Sequence, residues 1–524
     1  MAAKNSSATS KSEFIYMTSE TKKPNKILIV GGGTAGWMAA NLLAKHWQDV
    51  EVCLLESSDI GIIGVGEGTT PHLKFFFDEV GIEESDWMPR CNATYKNGIS
   101  FVDWSTIPGF NSYFHPFPAQ TDDIFTVPTF FNNISARMQG YNANAHPDHY
   151  FLETYITQKN LGPIPTENFP FGVAYGYHFD SGLLGQYLAE KAMGRGVKRV
   201  FGTVTEVLIN QKGELASVRL DDDSLLSADF FIDCSGFKSL LLQETLKASY
   251  LSFKENLFNN AAVVMPTPIS ETIPPETKST ALSNGWAWKI PLTNRFGNGY
   301  VYSADYITPE QAETELRQHL GMLDSGVAAR HLQMKVGRVE KHWEKNCLAV
   351  GLSQGFIEPL EATALALSFN TISGFIKSYE KGLYTNQYQD AFNNEINARF
   401  DGVRDYIVCH YKVNQRTDSD YWKDNAANTR LSDSLKQILH FWHRGGDFAK
   451  NMYMNNLVGS YQPKSWACLL AGYGVFPPLK SDEKNRQSPS LQDMAQLTDF
   501  IRRCGLNFKK HSELIAENNS ASLS

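Results

Sequence analysis

Residues 26–36 read KILIVGGGTAG, and this stretch decides the fold because it joins a β-branched apolar run to a G-x-G-x-x-G turn. The apolar run before the glycines is typical of a strand buried in a parallel sheet. Residues 37–45 have the spacing of a helix, and residues 50–55 are apolar in the manner of a second strand. Residues 26–56 are therefore predicted to form a βαβ unit.

The glycines of this turn have the spacing of a dinucleotide-binding motif. Gly31 allows the tight turn, Gly33 lets the backbone approach a pyrophosphate, and Gly36 lets the helix pack on its strand. The pyrophosphate would lie at the helix N-terminus, where free N–H groups and the helix dipole favour anions. Glu56 ends the second strand 20 residues after Gly36, in a position to accept hydrogen bonds from ribose hydroxyls.

The composition excludes several classes of protein. Of the 524 residues, 42% are hydrophobic and 20% are charged, which is typical of a globular protein. The net charge of −8 argues against nucleic-acid binding and against anionic membranes. No apolar run approaches the roughly 18 residues of a membrane span, and no early segment has the pattern of a signal peptide. The seven cysteines form no CxxC pair and fit a reducing compartment. We therefore expect a cytoplasmic enzyme without a metal site.

Two later segments favour FAD over NAD, which shares the same glycine motif. The sequence DCSG at 233–236 and the sequence GLS at 351–353 each follow a predicted buried strand. Both recur where FAD enzymes bring the chain back to the flavin. An ordinary junction between a strand and a turn remains the alternative for each segment.

The pattern of apolar residues divides the chain into a strand-rich part and a helical part. Further strands are predicted at 204–208, 217–220, 229–233 and 346–351, and helices at 366–381, 389–410 and 431–443. We expect an α/β fold in which residues 25–365 form a discontinuous, Rossmann-like FAD-binding domain with an inserted β-rich region. Residues 366–510 would form a mainly helical region that covers the substrate. Residues 1–24 and 511–524 are polar and are expected to be disordered tails.

Three further segments carry a resemblance to a known family. The sequence GWAWKIP at 285–291 contains W-x-W-x-I-P, GVGEGTTP at 64–71 holds a lone acid, and FIEPLEAT at 356–363 follows the third glycine site. Together with the glycine turn, they resemble the flavin-dependent halogenases of the tryptophan-halogenase-like branch, over about residues 26–480. W-x-W-x-I-P is the most specific element, because single-component flavin monooxygenases lack it.

The resemblance implies a reaction in two places. Reduced FAD from a separate NAD(P)H-dependent flavin reductase would react with O₂ and oxidise halide to hypohalous acid. This acid would travel to an aromatic site, where Lys96 and Glu361 direct electrophilic substitution. Trp286 and Trp288 would keep the substrate away from the flavin, although their spacing equally fits the buried face of a strand. Dimers are frequent in the family, so the resemblance also allows a homodimer.

The flanking sequences select Lys96 and Glu361 among competing residues. Lys96 lies in a stretch that matches the family's catalytic lysine, whereas Lys74 lies in a context that does not match. The ammonium could hydrogen-bond hypohalous acid, or the amine could carry the halogen covalently, and both roles need a desolvated lysine with an adjusted pKa. Glu361 could orient the hypohalous acid and take the proton from the arenium intermediate. Glu358 is expected to be structural.

The halide and substrate sites depart from the family's tryptophan-specific members. Thr363 and Ala364 would bind halide, but those members read ESTG where this chain reads EATA. Alanine in place of glycine alters the approach of the backbone to an anion, which favours bromide or iodide. His115 and Phe117 would line the aromatic pocket, unless Phe117 is a plain packing residue. Residues 449–466 lack the Tyr-Tyr pair that holds the amino-acid head, so we expect an indole-like aromatic rather than free tryptophan.

The resemblance and the motifs assign the flavin contacts to Gly31, Gly33, Thr34, Ala35, Gly36, Glu56, Glu67, Val204, Gly236, Leu352 and Leu365. Two alternative functions remain. A flavin-dependent aromatic monooxygenase on the same scaffold predicts a hydroxylated product and access of the substrate to the flavin. A non-catalytic flavin-binding protein would tolerate the loss of Lys96 or Glu361.

Overall fold

The computed structural model describes residues 23–58, 66–479 and 491–521. The strands are β1 (Lys26–Val30), β2 (Glu51–Glu56), β3 (Glu67–Gly68), β4 (Thr94–Lys96), β5 (Gly98–Val102), β6 (Ser112–Pro116), β7 (Leu161–Pro165), β8 (Gly176–Phe179), β9 (Lys198–Phe201), β10 (Val204–Ile209), β11 (Leu215–Leu220), β12 (Leu225–Ser227), β13 (Phe230–Asp233), β14 (Tyr250–Ser252), β15 (Ala261–Pro268), β16 (Glu276–Leu282), β17 (Gly285–Pro291), β18 (Arg295–Tyr302), β19 (Arg330–Gln333), β20 (Gly337–Val339), β21 (Trp343–Glu344), β22 (Cys347–Ala349), β23 (Gly355–Phe356) and β24 (Phe508–Lys510).

The α-helices are α1 (Thr34–His46), α2 (His72–Val80), α3 (Glu84–Arg90), α4 (Val127–Met138), α5 (Leu152–Gln158), α6 (Ser181–Gly194), α7 (Pro309–Leu320), α8 (Ala364–Lys381), α9 (Gln389–Lys412), α10 (Asp420–Ala427), α11 (Asp433–Arg444), α12 (Phe448–Met454), α13 (Pro463–Gly472), α14 (Leu491–Gly505) and α15 (His511–Ala521). The predicted helices at 366–381, 389–410 and 431–443 are confirmed as α8, α9 and α11. None of the helices in the described ranges is long and apolar enough to span a membrane.

The predicted βαβ unit lies at the centre of a sheet with strand order β21-β22-β13-β1-β2-β9. Strand β1 pairs in parallel with β2 on one side and with β13 on the other, and β13 pairs in parallel with β22. The apolar residues of β1 are buried because α1 covers one face of the sheet and a second apolar cluster covers the other. Since the carboxyl ends of parallel strands meet at one edge, the segments after β1, β2, β13 and β22 come together.

A second, mostly antiparallel sheet has the strand order β19-β15-β18-β17-β16-β5-β6. Strand β16 joins the early hairpin β5–β6 to the later strands through parallel pairing with β5. This sheet carries the W-x-W-x-I-P segment on β17, and β4 precedes its strand β5 by a single residue. The fold class is therefore confirmed as a Rossmann-like α/β domain combined with a β-rich sheet and a helical C-terminal part.

The expectation of a disordered tail at 511–524 is wrong for residues 511–521, which form α15. His511 is fully buried, and its Nε2 accepts a hydrogen bond from the Tyr95 backbone N–H at 3.2 Å. Leu514 and Ile515 are also buried, and β24 pairs with β7 just before the helix. These few buried residues are thus enough to hold a mainly polar segment against the rest of the protein. Of the other expected tail, residues 1–22 lie outside the described residues.

Candidate active site

The glycine turn after β1 has the close contacts that the motif requires. Gly31 has a φ of +119°, and a Cβ placed there would lie 2.1 Å from the Cys234 carbonyl oxygen. A Cβ on Gly36 would lie 2.0 Å from the Gly31 carbonyl oxygen. Only glycine can therefore occupy these positions without a shift of the backbone.

Gly33 differs from these two glycines because its position faces open space. Within the described ranges, a Cβ there would have no heavy atom within 4 Å, and no side chain caps the helix that starts at Thr34. Thr34 and Ala35 thus begin a helix whose first N–H groups are free to bind an anion. This open cradle at a helix N-terminus fits the pyrophosphate of FAD.

The three glycine-containing segments converge at this turn. Gly351, with a φ of +70°, is so close to the turn that its Cβ would lie 2.7 Å from the Ala35 Cβ. The Ser353 hydroxyl donates to Asp233 Oδ1 at 3.1 Å and ties the third segment to the second. Gly236 and Leu352 lie in two short 3₁₀ turns, one in the second segment and one in the third. The site is therefore assembled from distant parts of the chain.

The remaining predicted flavin residues lie on several elements. The Glu56 carboxylate lies directly over Gly32 and accepts a hydrogen bond from Arg199, so it borders the turn. Val204 begins β10, and Leu365 lies in the first turn of α8. Burial raises the pKa of Glu67 to about 7. The first two residues of the segment at 64–71 lie outside the described residues.

Replacement of Gly33 by alanine is expected to weaken FAD binding while leaving the fold intact. The added methyl group meets no atom of the described residues, but it occupies the space through which the pyrophosphate would approach. We expect the Kd for FAD to rise about tenfold or more, which corresponds to about 1.4 kcal/mol. Flavin fluorescence titration measures the effect, and Gly194→Ala, an equally open glycine at the end of α6, is the matched control. Unchanged affinity in Gly33→Ala would contradict this location of the pyrophosphate.

Lys96 is a fully buried lysine at the end of β4. Its Nζ makes no hydrogen bond to any residue that the structure describes, and it lies 5.5 Å from the centre of the Phe117 ring. Burial lowers the pKa of Lys96 to about 7, and the charge of Glu361 raises it. Lys96 therefore has the desolvated environment that either proposed role requires.

Glu361 ends a short 3₁₀ turn before α8, and its side chain is 5% exposed. Burial raises the pKa of Glu361 to about 7, and His115 and Lys96 lower it. Lys96 and Glu361 are far apart in the sequence, yet each is close enough to shift the pKa of the other. The structure thus places the two residues that the resemblance selected within electrostatic reach of each other.

Buried aromatic side chains from three parts of the chain surround Glu361. His115 is 8% exposed on β6, and burial lowers its pKa to about 4. The charge of Glu361 also helps to raise the pKa of nearby phenols, which belong to Tyr113, Tyr406, Tyr461 and Tyr473. The rings of Tyr406 and Tyr461 stack at 3.6 Å. Glu361 therefore lies in a buried surrounding that is mainly aromatic.

Sequence reasoning missed His410, whose Nε2 lies 3.0 Å from Glu361 Oε1. The signal was present in the pattern of α9. Val403, Tyr406, Ile407 and His410 follow the spacing i, i+3, i+4, i+7 and are all buried. A histidine on the apolar face of a helix needs polar neighbours, and here Nδ1 lies 2.7 Å from the Tyr473 hydroxyl while Nε2 lies beside the candidate catalytic glutamate.

Trp286 and Trp288 lie on β17 and are 1% and 7% exposed. Their ring centres are 6.0 Å apart, and the Trp288 ring covers Gly299, where a Cβ would lie 2.2 Å from the ring. Trp286 Nε1 lies 3.5 Å from Glu358 Oε2, which also accepts from Asn259 at 2.7 Å. Glu358 therefore differs from Glu361 in accepting a hydrogen bond from a neighbouring side chain, in keeping with a structural role.

Thr363 and Ala364, the predicted halide residues, lie at the N-terminus of α8. No side chain caps this 18-residue helix, so the N–H groups of its first turn are available to an anion. Ala362 just before it has a φ of +54°, which turns the chain sharply from Glu361 into the helix. The glutamate and the uncapped N-terminal end of α8 are therefore adjacent.

The fold and the site together define an FAD-binding oxidoreductase with a buried lysine–glutamate pair. The family model described as tryptophan halogenase matches residues 26–488. The tryptophan 6-halogenase SttH of Streptomyces toxytricini is 35% identical over 480 residues, which cover 87% of this chain and 90% of that protein. The tryptophan 7-halogenase RebH of Lentzea aerocolonigenes is 31% identical over 91% of this chain and 94% of its own length.

Solved structures agree with the sequence comparison. The crystal structure of SttH matches with a TM-score of 0.83 over 94% of this chain and 100% of that chain, at 32% identity. BrvH, a flavin-dependent halogenase from Brevundimonas sp. BAL3, matches with a TM-score of 0.82 at 28% identity, over 95% of this chain and 99% of that chain. The chain belongs to the tryptophan halogenase family and is a flavin-dependent halogenase.

Proposed function

We propose that this enzyme halogenates an electron-rich, indole-like aromatic other than free tryptophan, with Lys96 and Glu361 as its catalytic residues. The observation that carries the proposal is the buried Lys96–Glu361 pair beside a set of aromatic side chains. Reduced FAD, when bound at the glycine turn, supplies the chemistry by which O₂ oxidises halide to hypohalous acid. A separate NAD(P)H-dependent reductase provides the reduced flavin, and the free cysteines support the cytoplasm as the compartment.

Lys96 acts in its ammonium form as a hydrogen-bond donor to hypohalous acid. The Phe117 ring and the Glu361 carboxylate both favour a charge on Nζ. Since Nζ has no hydrogen-bond partner among the described residues, its protons are available to the incoming oxidant. Donation to the oxygen of hypohalous acid makes the halogen more electrophilic. The ring carbon then bonds to the halogen as the bond between halogen and oxygen breaks, and the oxygen leaves as water with a proton from Nζ.

Glu361 completes the substitution by accepting the proton of the arenium intermediate. The C–H bond at the halogenated carbon breaks, its electron pair returns to the ring, and the proton passes to a carboxylate oxygen. Burial raises the pKa of Glu361 to about 7, which makes it a stronger base than an exposed glutamate. Its 5% exposure also excludes bulk water from the step.

The substrate and halide preferences follow from positions at which this chain differs from the tryptophan-specific members of the family. Tyr453 and Met454, on the segment that replaces the amino-acid clamp, are 59% and 73% exposed and therefore leave a substrate head group unclamped. The Ala364 methyl group keeps an anion further from the backbone than glycine would, which favours bromide or iodide over chloride. Trp286 and Trp288 separate the substrate from the flavin and prevent hydroxylation.

A panel of substrates and halides tests the proposal directly. The enzyme is incubated with FAD, a flavin reductase, NADH and O₂, with chloride, bromide or iodide, and products are read by mass spectrometry. We expect halogenated indole-type products, with more turnover in bromide than in chloride and little or none on free tryptophan. A hydroxylated product would instead favour the flavin-dependent monooxygenase, and the absence of any product across all three halides would overturn the proposal.

A further inference from the structure

A chain of polar contacts leads from Glu361 away from Lys96. His410 Nε2 lies 3.0 Å from Glu361 Oε1, and His410 Nδ1 lies 2.7 Å from the Tyr473 hydroxyl oxygen. The three side chains are buried, and the imidazole ring is held between Phe101, at 4.6 Å between ring centres, and Trp104, at 5.8 Å. The aromatic neighbours therefore fix the plane of the imidazole, and one polar group lies near each of its two nitrogen atoms.

The partners of the imidazole determine which nitrogen carries its proton. Burial lowers the pKa of His410 to about 3, so the ring is neutral and has a single N–H group at neutral pH. Tyr473 is a phenol whose pKa is raised, so it keeps its proton and needs an acceptor. Within the described ranges, His410 Nδ1 is the acceptor at hydrogen-bond distance from this hydroxyl. The N–H of the ring is then on Nε2, the nitrogen that lies 3.0 Å from Glu361 Oε1.

We propose that His410 and Tyr473 are positioning residues that orient Glu361 and tune it as the proton acceptor of the reaction. Tyr473 fixes the tautomer of the imidazole, and the Nε2–H group donates to Glu361 Oε1. The other carboxylate oxygen is left to receive the proton from the substrate. At present the two atoms are at hydrogen-bond distance without full alignment, and such contacts tighten when the substrate is bound. The inference rests on the proposed role of Glu361.

The His410 contact differs in kind from the other groups around Glu361. Lys96 on β4 and His115 on β6 act on the carboxylate through charge, and both lower its pKa. The phenols of Tyr113, Tyr406 and Tyr461 also face this region. Of these groups, His410 has a ring N at 3.0 Å from the carboxylate. Loss of this donor should therefore raise the pKa of Glu361.

Three variants test the proposal through the pH profile of product formation. His410→Phe keeps a flat ring but removes the donor, and we expect kcat to fall roughly 10- to 100-fold, the effect of one hydrogen bond to a charged group. The acidic limb of the profile should move to higher pH by about one unit. His410→Gln, whose amide can donate in place of Nε2–H, should restore most of the loss, and Tyr473→Phe should show a smaller loss in the same direction.

Two further measurements separate this inference from the proposed function. Hypohalous acid formed without substrate, measured with a chemical trap, should be unchanged in His410→Phe, because the defect lies in proton removal. Nitrogen-15 NMR of histidine-labelled protein, assigned by comparison with His410→Gln, should show the Nε2–H tautomer in the wild type and a mixture in Tyr473→Phe. An Nδ1–H tautomer, or an unmoved acidic limb in His410→Phe, would overturn the inference. A wild-type enzyme that makes no halogenated product would instead refute the proposed function, and the NMR result would stand on its own.

Discussion

Replacement of Lys96 by alanine or methionine is expected to abolish halogenation of the substrate, while FAD binding is retained. Both substitutions remove the group that would activate hypohalous acid, and neither touches the glycine turn after β1. We expect a loss of about 10²-fold or more, the range of a positioned proton donor. Single-turnover assays with reduced FAD measure the loss, and flavin titration measures the retained affinity. Near-wild-type turnover in either variant would contradict the assignment of Lys96.

The same substitution has a predictable effect on stability. A buried ammonium without a hydrogen-bond partner destabilises the fold, so Lys96→Met should unfold at a higher temperature than the wild type. The pKa of Lys96 is about 7 in the folded protein, against 10.5 for an ordinary lysine. The destabilisation is therefore complete below pH 7 and disappears as the pH approaches 10.5. Thermal unfolding at several pH values should show a difference in Tm that shrinks over this window.

Lys74 provides the matched control for Lys96. It lies on α2, is partly exposed, and pairs with Asp78 at 2.9 Å. Because surface pairs of this kind contribute about 0–1 kcal/mol, Lys74→Ala should change neither halogenation nor Tm appreciably. A similar loss of activity in both lysine variants would point to a general effect of lost charge.

The local parts of the fold could be predicted because their signals lie within short stretches. The βαβ unit at 26–56 and the strands predicted at 204–208 and 217–220 need only apolar spacing and turn residues, and all are confirmed. The parallel pairing of β16 with β5 could not be predicted, since it joins strands far apart in the chain. Lys96 ends β4, which pairs with the distant strand β8, so the burial of its side chain was not visible in the sequence.

Composition alone gave a wrong prediction for the segment 511–521, because a few residues decide its structure. The stretch 511–521 is polar, yet His511 docks beside β4 through the Tyr95 N–H and a contact with the Ile273 carbonyl at 2.8 Å. His410 was missed for a related reason, since one histidine in an apolar helical face has no local sign of its partner. In both cases the decisive contact is with a residue from another part of the chain.

Replacement of Glu361 by glutamine is expected to lower halogenation by about 10²-fold, the contribution of a general base. Glutamine keeps the shape of the side chain but cannot accept the arenium proton. Glu358→Gln is the matched control, because Glu358 is equally buried but is hydrogen-bonded to Asn259. We expect kcat of the control to stay near that of the wild type. Comparable losses in both variants would contradict the specific role of Glu361.

The pH profile of activity is a more specific test of the role of Glu361 than the loss of rate alone. In the wild type, activity should fall below about pH 7 as Glu361 is protonated and above about pH 7 as Lys96 loses its proton. Because the two charges interact, both limbs belong to the pair. Glu361→Gln should lose the acidic limb, and its alkaline limb should move to lower pH, since the carboxylate no longer raises the pKa of Lys96. Activity that rises at high pH would instead indicate that Lys96 reacts as a free amine.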